Sequence, residues 1–138
     1  VSGHAGLFSN IEDMAVLVQI MLNNGSYNGI TFWDKSVEKE FVTPLKMDNT
    51  FGLGWRLAGN SHEFKPFGNY ASAQAFGHTG WTGTITLIDP KYNLAIILLT
   101  NKRHTLYKNN KFAGDSYATG QYHDIIDLIY QALPETQK

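Results

Sequence analysis

Residues 75–99 constrain the fold more than any other part of the chain. Three stretches there favour extended backbone. The first is short and ends in His78-Thr79-Gly80. The second, residues 84–88, alternates Ile85 and Leu87 with threonines. The third, residues 94–99, is an almost unbroken apolar run, which suggests a central strand. Asp89-Pro90-Lys91-Tyr92-Asn93, between the last two, has the residues of a hairpin loop. Strands that follow one another in this way form an antiparallel sheet rather than a βαβ alternation.

The rest of the chain supplies helices to cover that sheet. Ser9, with Glu12 three residues later, fits a capping box. Ile11, Met14, Ala15, Val18, Met21 and Leu22 then recur at the helical period, and Asn23-Asn24-Gly25 stops the helix. Residues 25–29 read as a turn. Asp34 or Ser36 can cap a second, shorter helix through Val37, Phe41 and Val42, ended by Pro44. Residues 51–57 alternate apolar side chains with glycines, the pattern of a strand with close backbone packing. Residues 58–72 read as a surface excursion, and residues 101–116 as a polar loop with Lys108-Asn109-Asn110-Lys111 in solvent. A final helix starting at 117–122 places Ile125, Leu128, Ile129, Ala132 and Leu133 on one face. The order predicts an α+β fold, an antiparallel sheet with helices packed on it.

Composition narrows the function classes. With 138 residues, 43% hydrophobic and 17% charged, the chain suits one globular domain. A formal net charge of −1 leaves no basic field for nucleic acid. There is no cysteine, and His62, His104 and His123 are scattered, with no metal-ligand spacing. No cofactor or metal is therefore expected. No apolar run reaches the roughly 18–20 residues that span a bilayer. Because the first residue is Val1, the expectation is a piece of a longer chain, with any membrane anchor elsewhere.

The chemistry concentrates in Phe76-Gly77-His78-Thr79-Gly80-Trp81-Thr82-Gly83-Thr84. Glycines beside a strand let a ligand approach the backbone closely. Taken alone, His78 reads more simply as a turn histidine satisfied by its neighbours. Trp81 is the tryptophan most suited to solvent, whereas Trp33 and Trp55 read as core.

This stretch resembles the Lys/His-Thr/Ser-Gly triplet of the serine β-lactamase and penicillin-binding-protein superfamily. The strands through Leu87-Ile88-Asp89-Pro90 and Ala95-Ile96-Ile97-Leu98-Leu99-Thr100-Asn101-Lys102 extend the likeness, as does Gly3-His4-Ala5-Gly6-Leu7-Phe8-Ser9 upstream. The nearest branch is the class C β-lactamase-like one, with its esterases and peptidases. The resemblance implies a β-lactamase-like fold and attack of a serine on an amide or ester carbonyl through an acyl-enzyme. It implies that the Trp81 backbone N–H stabilises the oxyanion and that His78 assists catalysis. It further implies that His78, Thr79 and Gly80 bind a small-molecule or peptide substrate. His4 reads as a structural histidine before the first helix, or as a border of the site.

The family's Ser-x-x-Lys and Tyr-x-Asn elements lie upstream of the triplet. Ser36-Val37-Glu38-Lys39 matches the first, and Tyr70-Ala71-Ser72 and Tyr107-Lys108-Asn109 loosely match the second, but all three lie in the wrong places. The expectation is thus residues 1–138 as the C-terminal portion of a serine hydrolase domain that lacks the nucleophile. The alternative is a non-catalytic module that binds peptidoglycan peptides or is structural. The missing N-terminal part is an expected partner, and the face it would cover predicts self-association of the chain. A cell-envelope location is expected over the cytoplasm.

Overall fold

A computed structural model describes residues 5–60, 66–101, 103–116 and 122–134. Three helices and eight short strands follow in the order α1 (Ile11–Leu22), β1 (Ser26–Tyr27), β2 (Ile30–Thr31), α2 (Lys35–Phe41), β3 (Arg56–Leu57), β4 (Phe76–Thr79), β5 (Ile85–Asp89), β6 (Leu94–Leu98), β7 (Tyr107–Lys108), β8 (Lys111–Phe112) and α3 (Tyr122–Gln131). The antiparallel sheet β3-β4-β5-β6 is the framework, and β1-β2 and β7-β8 are separate hairpins. This is the expected α+β arrangement.

The sheet separates two apolar layers. Phe76, Ile88 and Leu57 face α1 through Val18 and Met21. Ile85, Leu87 and Ile96 face α3 through Ile126 and Tyr130, with Phe67 completing that layer. Register follows from the alternation: Phe76 pairs with Ile88 and Gly77 with Leu87, and Ile88 pairs onward with Ala95. A slip of one residue would exchange the two layers.

Strand β6 lies at the edge of the sheet, not at its centre. Its continuous apolar run reflects two covered faces instead of two covered edges. Ala95 and Ile97 pack in the α1 layer, and Leu94, Ile96 and Leu98 in the α3 layer. Among the described residues no strand pairs with its outer side. The strand expected over 51–57 is shorter. Phe51 bridges to Arg56, Gly52 N donates to Trp55 O at 2.8 Å, and Gly54 takes φ +82°, so a tight reversal precedes β3.

Two hairpins occupy segments read as a turn and a loop. Both reverse at pairs with positive φ, Asn28-Gly29 (49° and 78°) and Asn109-Asn110 (54° and 58°). Such pairs match the twist of a two-residue hairpin. The α1 cap is also one residue later than expected. Asn10 accepts from Asp13 N at 2.8 Å and donates its amide to the Asp13 carboxylate at 2.9 Å.

Helix α3 is rotated from the face predicted for it. Ile126, Asp127 and Tyr130 are buried, whereas Ile125 and Leu128 face solvent. Two buried carboxylates explain the rotation. Asp127 accepts from Asn69 N at 2.6 Å and from the Asn69 amide at 2.7 Å. Asp89, fully buried at the end of β5, accepts from Tyr130 OH at 2.7 Å. It also accepts from Ser72 N (2.8 Å), Ser72 Oγ (2.6 Å) and Lys91 N (3.2 Å). One carboxylate thus ties α3, the 66–75 segment and the β5-β6 turn together, and a hydrophobic count of α3 cannot see it.

Candidate active site

The triplet lies where β4 runs out from under β3. Strand β3 pairs with Phe76 and Gly77 and goes no further, so among the described residues no strand covers the edge of β4 at His78 and Thr79. Gly80 N donates to Thr84 O at 2.7 Å, and Gly83 N donates to Gly80 O at 3.0 Å. The Gly80 backbone therefore faces β5, and alternation turns the Thr79 backbone toward the open edge. The Trp81 N–H donates to no described residue.

The side chains divide between the two faces. His78 pairs across the sheet with Thr86, which pairs with Ile97, and so lies on the α1 side. Thr79 pairs with Ile85 and lies on the α3 side. A substrate along this edge meets His78 from one face and the Thr79 main chain in the plane. The Thr79 hydroxyl is on the other face.

His78 is exposed, and its Nδ1 is 2.8 Å from the Thr79 carbonyl oxygen. A carbonyl only accepts, so Nδ1 carries the proton and Nε2 points away from that bond. A neutral His78 thus offers Nε2 as an acceptor, and a protonated one offers it as a donor. The local bond is the one a turn histidine would make, and it also fixes the tautomer.

The glycines have structural reasons beyond ligand approach. A Cβ on Gly80 would run into Thr84 Oγ1, and one on Gly77 into the Thr86 carbonyl and the Phe67 ring. Gly83 takes φ +101°. The narrow return from β4 to β5 depends on all three.

Trp81 is 62% exposed, yet its ring is engaged. The Arg103 guanidinium lies over it at 4.4 Å and over Phe112 at 5.4 Å. Trp81 and Phe112 meet edge to face at 6.0 Å, and Arg103 Nε donates to Trp81 O at 3.5 Å. Sequence reading missed this wall because Arg103 and Phe112 sit in a segment classed as polar loop. The two positive-φ asparagines were the available signal.

Ser36 and Lys39 are on α2, whose Lys35, Glu38 and Lys39 line a cleft of about 580 Å³ with Leu57 and Phe76. That cleft meets β4 at its start, Ala75 and Phe76, the end opposite Gly80. Burial raises the Glu38 carboxyl above its usual range, partly offset by the Trp33 indole N–H and Lys35. His4 and His62 lie outside the described residues. Among the described residues no group of three or more His, Cys, Asp or Glu could hold a metal, and no helix is long and apolar enough to cross a membrane.

A model of the beta-lactamase family matches residues 1–117. An N-acetylmuramyl-L-alanine amidase of Bacillus subtilis (strain 168) is 52% identical over 138 residues, covering 96% of this chain and 31% of the relative. A protein of Escherichia coli (strain K12) named "Putative D-alanyl-D-alanine carboxypeptidase" is 45% identical over 140 residues, covering 98% and 32%. The chain thus spans about a third of the length of these curated relatives. The crystal structure of a beta-lactamase from Mycobacterium bovis aligns with TM-score 0.62 at 23% identity, over 89% of this chain and 44% of that one. A penicillin-binding protein homologue from Caulobacter crescentus aligns with TM-score 0.56 at 20% identity, over 85% and 30%. These two likenesses are of fold.

Proposed function

Because the chain belongs to the beta-lactamase family, within the serine β-lactamase and penicillin-binding-protein superfamily, we propose that residues 1–138 are the C-terminal portion of a serine hydrolase domain. The whole protein cleaves an amide or ester through an acyl-serine. The serine and its lysine lie on a segment other than these residues. The observation that carries the reading is the uncovered end of β4, where the Thr79 edge, the His78 imidazole and the Trp81 N–H adjoin one another.

An extended substrate adds along the β4 edge through main-chain hydrogen bonds. Its carbonyl oxygen takes the Trp81 N–H, which is worth most when negative charge develops there. Nε2 of His78 exchanges a hydrogen bond, and when protonated a charge, with the substrate or the tetrahedral intermediate. Thr79 binds the substrate through its backbone at the open edge, and Gly80, with no side chain, lets the substrate approach closely. The names of the amidase and carboxypeptidase relatives favour a peptidoglycan peptide as substrate and the cell envelope as location.

By itself the chain is expected to be inactive. Purified and mixed with nitrocefin or p-nitrophenyl acetate, it should give no turnover above buffer. Turnover abolished by a fluorophosphonate, with the label found on Ser36, would overturn the assignment of the nucleophile to another segment. The second reading, a peptide-binding module without catalysis, draws on the same open edge. It predicts that the longer protein binds a D-alanyl peptide without ever forming an acyl-enzyme on penicillin, which mass spectrometry reads directly.

Self-association is proposed as well. Leu7, Phe8, Phe32, Met47 and Leu106 are each more than half exposed, and the outer side of β6 is open among the described residues. Light scattering of the chain should give a mass above the monomer's 15.4 kDa. A monomer at high concentration would count against it.

A further inference from the structure

The β7-β8 hairpin adjoins the turn that carries the Trp81 N–H. Arg103 covers both the Trp81 and Phe112 rings and donates to the Trp81 carbonyl oxygen. Phe112 touches Trp81 on one side and the Tyr107 ring, at 4.9 Å, on the other. Thr100 Oγ1 donates to Thr82 O at 3.4 Å. At the hairpin's base Ala113 N donates to Leu106 O at 2.9 Å, and Gly114 N donates to Thr105 Oγ1 at 2.9 Å. The turn's own bond from Gly83 N to Gly80 O holds the carbonyl end of the Gly80–Trp81 peptide, which carries the Trp81 N–H, and leaves its Cα end at Trp81 to be fixed from outside.

We propose that Arg103 and Phe112 are positioning residues that set the direction of the Trp81 backbone N–H. The inference rests on the reading of that N–H as the oxyanion donor. Arg103 pins the two other groups on the Trp81 Cα, its carbonyl and its indole. Phe112 fixes the ring's other contact, so Trp81 cannot turn about its N–Cα bond relative to the Gly80–Trp81 peptide without breaking a stack of three groups. A cation over an aromatic face is worth more as it is desolvated, and here the second ring limits water on the guanidinium. Arginine suits the place because its planar fork can stack and donate together, which an ammonium cannot. An oxyanion donor is valuable because it is already oriented when charge develops.

The test has two parts. On this chain, 15N relaxation should show Trp81 as rigid as the sheet, with an order parameter of about 0.85. Arg103→Ala and Phe112→Ala should lower it below about 0.6 at Trp81 and Thr82 while Leu87 and Ile96 stay unchanged. Arg103→Lys should recover only part of the loss. In the longer protein that bears the serine, Arg103→Ala should lower kcat about ten- to a hundredfold with KM within about twofold, the pattern of a misaligned transition-state contact. An unchanged order parameter overturns the proposal, and so does a lower order parameter with unchanged kcat. Failure of the underlying reading looks different: there His78→Ala also leaves hydrolysis unchanged, and the relaxation result alone decides whether Arg103 fixes the peptide.

Discussion

Asp89→Ala should cost about 3–5 kcal/mol, enough to unfold much of the population of a domain this size. The carboxylate is fully buried and accepts four hydrogen bonds from three segments. Removing it strands two backbone N–H groups that cannot change roles. Asp89→Asn keeps the shape but must aim its NH2 at the Ser72 or the Lys91 N–H, and should cost about 1–3 kcal/mol. Tyr130→Phe removes one of four donors and should cost the least of the three. Urea denaturation followed by circular dichroism ranks them, and a neutral Asp89→Ala would refute the account. A pH effect follows from the same contact. Burial, together with the nearby Asp89 charge and hydrogen bond, raises the Tyr130 hydroxyl above its ordinary range. The folded state therefore holds a proton that the unfolded state releases near pH 10, so stability should fall as pH rises above about 10. Tyr130→Phe should remove that part of the alkaline loss.

In a longer protein that bears the proposed serine, His78→Ala should lower kcat/KM by about 10²-fold or more, the range for a positioned acid–base group. Trp81→Ala should cost only about tenfold, because its N–H belongs to the main chain and what is lost is the stack with Arg103 and Phe112. Steady-state kinetics on a chromogenic ester separates the two. The reverse ranking would mean that the indole, not the peptide, makes the important contact, and that Nε2 of His78 faces away from the reacting carbonyl.

Where sequence periodicity succeeded or failed has a physical cause in each element. The β4, β5 and β6 strands were legible because each carries a two-residue alternation or an apolar run bounded by turn residues. The edge position of β6 was not legible. An apolar residue reports that its side chain is covered, and nothing in Leu94-Ala95-Ile96-Ile97-Leu98 reports whether the main chain is paired. The rotation of α3 was hidden because Asp127 and Tyr130 score as polar or amphipathic until Asn69 and Asp89 are beside them. At the candidate site, the triplet was visible as a motif. The Arg103–Trp81–Phe112 stack joins residues up to 31 apart in sequence, and no local pattern encodes it.

The uncovered side of β6 links solubility to completeness. Its main-chain groups would template any extended segment, so an isolated chain should precipitate readily. The usual remedy is a gatekeeper, a lysine or proline placed on the edge strand. At Ala95 or Ile97 that change would protect the lone chain. It would also spoil the seat of any strand that a longer protein, as proposed, added at that edge. A version engineered for easy handling by itself would then be a poor donor for reconstitution, and the residues to leave untouched are those that make the isolated chain difficult to keep in solution.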